Sequence, residues 1–220
     1  MKRMVLTASL LSAIVIGASA QQSRTMARIA GTSFGVHAGV NMFNINGKNA
    51  AGNELDNKLK TGFEAGVNAE IPLGGGSYLQ PGVDFRQKGA EGRDGSKINL
   101  NYIDIPVNFV YKSILGTGNF VLGFGPYVGF GISGHVKSPN GVKQDVQFGN
   151  DQSTATSAVQ LKRMDAGANF QAGYEFANRI GVTLKTQLGL IDIDPNVSGA
   201  NNNDTRFRNT GFGLSLGYRF

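Results

Sequence analysis

The chain has 220 residues, of which 32 are glycine and none is cysteine or tryptophan, and charged side chains make up only 16%. This length fits one domain of ordinary size, and the lack of cysteine excludes disulfide frameworks and thiolate metal centres. The formal net charge is +6, of which Lys2 and Arg3 supply two. The basic residues form no continuous patch, so nucleic acid is not an expected partner.

The first 20 residues have the features of a secretory signal peptide. Lys2 and Arg3 form a positively charged start, residues 5–17 are apolar, and the sequence "ASA" at 18–20 fits a cleavage site. No apolar run after residue 20 reaches about 18 residues, so no transmembrane helix is expected. We expect a cleaved signal peptide over 1–20, a short periplasmic segment over 21–32 and one domain over 33–220.

Apolar and polar residues alternate with a period of two through the rest of the chain. The last such segment, "GFGLSLGYRF", has Phe212, Leu214 and Leu216 on one face and mainly glycine on the other. An even number of antiparallel strands closes into a barrel without exposed edges. We therefore predict an all-β fold, an eight-stranded antiparallel up-and-down barrel with strands near 34–42, 62–71, 78–88, 101–112, 120–132, 164–176, 180–190 and 211–220.

The lengths of the connections indicate that this barrel is transmembrane. Links near 73–77, 113–118 and 177–179 are short, whereas those near 46–60, 89–97, 133–160 and 192–206 are long and polar. Short periplasmic turns and long extracellular loops are typical of outer-membrane barrels. Eight strands leave a narrow lumen, which glycine and a few charged side chains can fill. The apolar face should therefore point outward into lipid.

Aromatic residues on the apolar face gather at the short-turn ends of the strands. Membrane barrels carry such girdles at their interfaces. The predicted periplasmic girdle consists of Phe34, Phe109, Tyr111, Phe120, Tyr174, Phe176, Tyr218 and Phe220. The opposite girdle would comprise Phe43, Phe63, Phe85, Phe130 and Phe212.

Three prolines interrupt the pattern. Pro81, Pro106 and Pro126 fall inside predicted strands, where proline removes a hydrogen-bond donor from the ladder. We expect bulges or locally missing bonds there, which leaves the register of strands three to five open.

The segments "GFGLSLGYRF", "NYIDIPVNFVYK" and "FGVHAGVNM", with the signal peptide, resemble the outer-membrane β-barrel domain of the porin-like superfamily, related in architecture to OmpA and OmpX. The resemblance covers roughly residues 33–220 and implies localisation in the outer membrane of a Gram-negative bacterium. It also implies that the terminal aromatic strand is read by the barrel-assembly machinery. It identifies the fold well but the function poorly, because the family hosts many roles.

The polar face predicts a charged lumen with nearly balanced signs. A selective pore usually carries an excess of one sign, so balance favours a cross-bracing salt-bridge network over conduction. The predicted network consists of Glu64, Glu70, Asp84, Arg86, Lys88, Asp104, Lys112, Asp165, Glu175, Lys185 and Arg219.

Catalytic and metal sites have little support in the sequence. His37 falls on the inward face and His135 at the start of a loop near Ser133, without a recognisable triad. The stretch from Asp192 resembles a calcium loop at Asp192, Asp194 and Asn196 but lacks the required glycine and final glutamate. The glycine-rich "GFGPYVGFG" lacks the lysine and helix of a phosphate-binding loop. We expect no enzyme activity, cofactor or metal.

Four basic residues lie near the outer ends of strands six and eight, at the depth of lipopolysaccharide phosphates: Lys162, Arg163, Arg206 and Arg208. Outer-membrane lipid and lipopolysaccharide are thus expected partners, and the extracellular partner is open. The leading hypothesis is an integral barrel with a non-enzymatic role in envelope structure, surface interaction or limited small-solute passage. The alternatives are a soluble lipocalin-like binder of an apolar ligand and a lipid A-modifying barrel enzyme.

Overall fold

The computed structural model describes residues 31–48, 53–149, 159–193 and 206–220. Within them the strands are β1 (Ser33–Lys48), β2 (Lys60–Gly74), β3 (Ser77–Glu91), β4 (Lys97–Leu115), β5 (Gly118–Lys137), β6 (Lys143–Phe148), β7 (Val159–Leu161), β8 (Met164–Glu175), β9 (Ile180–Gly189) and β10 (Arg206–Arg219). No helix in these ranges has the length and apolar character needed to cross a membrane.

Eight of these strands close into an antiparallel barrel, as the sequence predicts. Each strand of the order β1-β2-β3-β4-β5-β8-β9-β10 pairs with the next, and β10 pairs back onto β1. The last strand is central to this closure, because Gly35–Lys48 of β1 is in register with Arg206–Arg219 of β10. Ser33–Phe220 forms one unit.

The burial pattern is the inverse of that of a soluble protein. Phe124, Leu184 and Leu216 are 56%, 52% and 62% exposed on the outer surface, whereas the intervening charged side chains are buried inside. Alternation along each strand produces the two faces, since successive side chains point to opposite sides of a sheet. A soluble lipocalin-like binder would need the reverse, so the outward apolar belt excludes that alternative.

The short turns lie where the sequence predicts them. Gly74 at the end of β2 and Gly75 and Gly76 before β3 all have positive φ, a backbone region that only glycine adopts without cost. Gly116 serves the β4–β5 turn at φ 62°, and Arg179 adopts φ 66° before β9.

The loop predicted near 89–97 is much shorter in the structure. β3 and β4 extend to Glu91 and Lys97, so only 92–96 remains as a connection. Asp94 accepts hydrogen bonds from the backbone N–H and hydroxyl of Ser96, which lower the pKa of its carboxyl group. The predicted loop 133–160 also contains structure, because β5 continues to Lys137 and is followed by β6 and β7.

The prolines leave the register intact. The β2–β3 ladder is interrupted at Pro81, β3–β4 at Pro106 and β4–β5 at Pro126, and pairing resumes in the same register beyond each proline. The two register shifts fall elsewhere, at Pro72/Gly74 and at Asn101/Tyr102. The expected missing bonds therefore occur without bulges at these three residues.

The eight residues of the predicted periplasmic girdle lie at the short-turn end, and seven of them are strongly exposed. Edge-to-face ring pairs join Tyr174 to Phe176 and Tyr218 to Phe220, with centroids 4.9 and 5.2 Å apart. The prediction for the opposite girdle is wrong for Phe43, which is 1% exposed and faces the lumen. Its position has the parity of Asn41 rather than that of Met42, so its ring points inward.

Candidate functional site: the barrel interior

A buried lysine occupies the outer part of the lumen. Lys88 is 0% exposed, and its Nζ lies 3.0 Å from Asp104 Oδ2 and 3.0 Å from Asp165 Oδ2. The rings of Tyr102 and Tyr127 flank the same ammonium at 4.7 Å each, and Phe43 lies 5.7 Å away. Two carboxylates and three aromatic faces together offset the cost of removing one cation from water.

Neutral side chains complete this layer. Gln187 Nε2 donates to Asp104 Oδ2 at 2.9 Å, and Asn209 Nδ2 donates to Asp165 Oδ2 at 3.0 Å. The Tyr127 hydroxyl donates to the other oxygen of Asp165 at 3.2 Å. The layer thus links β1, β3, β4, β5, β8, β9 and β10 through the barrel interior.

A second layer lies directly below, around Arg86. Its guanidinium group contacts Asp84 at 2.9 Å, Glu64 at 3.6 Å and Asp104 at 3.7 Å. Lys185 adds a contact of 3.0 Å to Glu64. All of these carboxylates are nearly inaccessible, so the geometry supports charged pairs that hold β2, β3, β4 and β9 together.

A third layer lies at the short-turn rim. Lys112 Nζ lies 2.7 Å from both Glu70 and Glu175, and Arg219 reaches Glu70 at 2.7 Å and Glu175 at 3.8 Å. Gln80 donates to Glu70 and accepts from Gln171, each at 3.0 Å. Side-chain exposure rises here to 15% for Arg219 and 20% for Glu175, so this layer meets solvent.

His37 lies between the rim and the Arg86 layer. Arg219 donates to Asn68 Oδ1 at 2.7 Å, and the Asn68 amide lies 3.4 Å from His37 Nδ1. The opposite ring nitrogen, Nε2, lies 3.3 Å from Asp84 Oδ1. Because the Asn68 oxygen accepts from Arg219, its amide N–H is turned toward His37, so Nδ1 is the acceptor in this contact.

The lumen contains a polar cavity of about 80 Å³ that is open at the short-turn end. It extends from the rim at Gly35 and Arg219 inward to Asp84 and Arg86. It also contacts Asn108 and Asn169, which are each 6% exposed. The Lys88 layer beyond Arg86 is fully buried, so the cavity is a blind vestibule.

The outer end of the lumen is filled by an apolar plug. Its buried members are Ile45, Ala90, Leu100, Tyr102, Val146 and Leu161, with Phe148, Val136, Ile98, Leu55 and Phe207 packed against them. Phe148 meets the Tyr102 ring edge-on at 6.0 Å and covers the space above Gly131. β6 and β7 thus fold inward over the outer mouth of the barrel.

All eleven charged residues of the predicted network point into the lumen, and each makes at least one ion-pair contact there. The aromatic partners of Lys88 and the amides of Gln80 and Asn68 are absent from the prediction. Their inward parity was readable from the alternation, but which of them meet depends on the register.

The predicted lipopolysaccharide contacts lie near the outer ends of β8 and β10. Arg163 and Arg208 are exposed, while the Lys162 backbone N–H donates to Ile193. The side chain of Arg206 lies outside the described residues, as do Asp194 and Asn196 of the candidate calcium loop. Asp192 Oδ1 accepts a hydrogen bond from the Phe207 backbone N–H at 2.8 Å.

The histidine considered for catalysis lies within strand β5 and not in a loop as predicted. His135 lies opposite Asn99 on β4 and Asp145 on β6, and the Ser133 hydroxyl accepts a bond from Asn101 at 2.9 Å. Within the described ranges, no three His, Asp or Glu side chains are grouped to hold a metal ion.

The family model described as "Outer membrane protein beta-barrel domain" matches residues 19–194. No curated protein matches the chain. Among solved structures, Neisserial surface protein A is 14% identical with a TM-score of 0.46, covering 86% of this chain and 99% of its own. The attachment invasion locus protein Ail of Yersinia pestis, in complex with the heparin analogue sucrose octasulfate, is also 14% identical. Its TM-score is 0.43, with coverage of 86% and 99%.

Proposed function

The chain belongs to the outer membrane protein β-barrel domain family, and we propose that it is a non-conducting, non-enzymatic barrel that presents a structured surface outside the cell. The fold is that of an outer-membrane protein, with its apolar belt in lipid. The proposal includes export through a signal peptide over 1–20 and assembly through the C-terminal strand by the barrel-assembly machinery.

The single observation that carries this role is the double obstruction of the lumen. The Lys88 layer spans the barrel with 0% exposure of Lys88 and Asp165, and the apolar plug fills the space beyond it. An ion entering the vestibule would meet fixed charges of both signs and then an apolar barrier, whereas conducting pores keep a continuous polar path. Limited solute passage is therefore the less favoured role.

The surface role is supported by regular strand pairing at the outer ends of the strands. β4, β5 and β6 continue beyond the apolar belt as a hydrogen-bonded sheet whose inner side packs on the plug. Such a hydrogen-bonded extension is a suitable platform for contacts with molecules outside the membrane. Contacts of Lys162, Arg163, Arg206 and Arg208 with lipopolysaccharide phosphates remain part of this proposal.

Liposome swelling and planar-bilayer recording test the proposal together. We expect the purified, reconstituted protein to give neither solute uptake nor single-channel steps. A control lane should show that the unboiled protein migrates differently from the boiled protein, as a folded barrel does. Steady conductance from a folded preparation would overturn the closed-lumen role, and release into a detergent-free wash would overturn the membrane role.

A further inference from the structure

Four lysines form one row across the outer edge of the barrel. Lys58 pairs with Glu91, Glu91 with Lys97, Lys97 with Lys137, and Lys137 with Lys143. These residues come from distant parts of the chain, yet each is directly opposite the next on adjacent segments. At about 4.8 Å between neighbours, the lysine row is about 19 Å long.

This arrangement departs from ordinary cross-strand pairing. Like charges directly opposite each other on neighbouring strands are destabilising, and here Lys97–Lys137 and Lys137–Lys143 are both of that kind. Glu91 neutralises one lysine through its contact with Lys97 at 3.1 Å. Among the described residues, Lys137 and Lys143 form no ion pair, which leaves three net positive charges on the row. Such local conflicts concentrate at functional sites.

The backbone of the row is held by strand pairing, and its side chains point away from the lumen. Ile98 and Val136, the neighbours of Lys97 and Lys137, pack inward against the plug, so the lysines themselves point away from the lumen. The turn after Lys137 is closed by a hydrogen bond of 2.9 Å from the backbone N–H of Ser138 to the carbonyl oxygen of Val142, and Gly141 in this turn has a positive φ. The ammonium groups therefore project toward the surroundings of the barrel wall.

The height of the row identifies what it meets. The last apolar cross-strand level is Phe85–Ile103–Phe130, followed by Gln87–Asn101–Ser133 and then the level of Asn99 and His135. The lysine row lies one level higher, six residues from Ile103, or about 20 Å along a tilted strand. Side chains that point outward at this height meet the saccharide headgroups of the leaflet. The amides of Gln87, Asn99 and Asn101 and the hydroxyl of Ser133, which lie between the apolar belt and the row, are suited to hydrogen bonds with sugar hydroxyls.

We propose that the lysine row binds the anionic saccharide headgroups of the surrounding outer leaflet through their phosphate or carboxylate groups. This inference rests on the proposed surface placement of the barrel. Charge-assisted bonds between ammonium and phosphate supply the attraction, and removal of the lysine–lysine repulsion adds to it. The contact should weaken as salt screens the charges.

The test compares K97Q/K137Q/K143Q with K97R/K137R/K143R, which keeps all three charges. Each protein is reconstituted in phosphatidylcholine nanodiscs and titrated with lipopolysaccharide bearing a phosphorylated core, with core-truncated lipopolysaccharide, and with soluble dextran sulfate. We expect the glutamine variant to bind phosphorylated lipopolysaccharide roughly 100-fold more weakly at low salt. The arginine variant should stay within about threefold of the wild type, and truncated cores should not distinguish the variants.

Unchanged binding of the phosphorylated core by the glutamine variant would overturn the proposal. If the glutamine variant lost binding only to dextran sulfate, the assignment to lipid headgroups would also be overturned, and a soluble polyanion would be the ligand. The heat-dependent gel shift checks that each variant is a closed barrel, and surface labelling of cells reports the outer-membrane placement separately. A negative result for headgroup binding by the lysine row is therefore distinguishable from a failure of the proposed function.

Discussion

Lys88 Nζ lies 3.0 Å from Asp165 Oδ2 and thereby joins β3 to β8 through the interior of the barrel. The two residues are 77 positions apart in sequence, and both side chains are fully buried. Closure of the wall places them together, and the aromatic rings around the ammonium fix its position. The interior is thus braced by charge while the exterior supplies the apolar surface.

Replacing Lys88 with methionine should be strongly destabilising, because Asp104 and Asp165 would stay buried with their cation removed. We expect a loss of about 3–5 kcal/mol in the free energy of unfolding. Urea titration in detergent micelles, followed by the heat-dependent gel shift, measures it. Lys137→Gln on the outer surface is the control and should change stability by less than about 0.5 kcal/mol. Equal effects of the two substitutions would contradict the bracing role of Lys88.

The plug should depend on Tyr102, whose side chain is fully buried against Phe148 and beside the Lys88 ammonium. Tyr102→Ala removes a large core ring, and we expect a loss of about 3–5 kcal/mol in stability. The outward-facing Tyr218→Ala removes a ring exposed to lipid and should cost clearly less. If the outward substitution proved the more harmful, the assignment of the plug as a packed core would be wrong.

Some glycines on the inner face lie where a side chain would overlap the neighbouring strand, and others have free space beside them. A Cβ at Gly167 would lie 2.0 Å from the Leu188 carbonyl oxygen and 2.9 Å from the Tyr127 ring, whereas at Gly181 the nearest atom is 3.8 Å away. Gly167→Ala should therefore lower stability by about 1–3 kcal/mol through overpacking. Gly181→Ala should be nearly neutral, and unfolding midpoints that fell equally for both would refute the packing argument.

The short-turn rim offers a finer test. The Tyr174 hydroxyl donates to the Leu115 backbone carbonyl at 2.6 Å, which ties the end of β8 to the β4–β5 turn. Tyr174→Phe should cost about 1 kcal/mol or less. Tyr218→Phe is the matched control, because none of the described residues hydrogen-bonds its hydroxyl, and its unfolding midpoint should not change. Identical midpoints for the two variants would show that the bond contributes nothing.

The barrel and its charged interior follow from alternation, because parity alone places Lys88 and Asp165 inside and Leu214 outside. Partner choice does not follow, since the contact of Lys88 with Asp165 requires the register of three intervening strand pairs. The ring of Phe43 points inward because this residue has the parity of Asn41, although its place at a strand end is typical of an interfacial aromatic residue. β6 and β7 consist of 6 and 3 residues, too short for alternation to separate them from a polar loop.

The lysine row could not be predicted from the sequence for the same reason, because it too depends on strand register. Lys58, Lys97, Lys137 and Lys143 are scattered through the sequence and form no charge run. Only the strand pairing aligns them at one height. A bulge at Asn101/Tyr102 shifts the β4–β5 register by one residue below the row. In the register below the bulge, Lys97 would lie opposite Val136 and not Lys137.

The outward orientation of the apolar face can be tested directly with single tryptophans, because the chain contains none. Phe43 and Phe212 lie on neighbouring strands at adjacent register positions, but Phe43 is 1% exposed in the lumen and Phe212 is 44% exposed on the wall. Phe43→Trp and Phe212→Trp are each reconstituted in lipids with bromine near the headgroup end of the acyl chains. We expect strong fluorescence quenching for Phe212→Trp and little for Phe43→Trp. Quenching of Phe43→Trp with an unaffected Phe212→Trp would contradict this orientation.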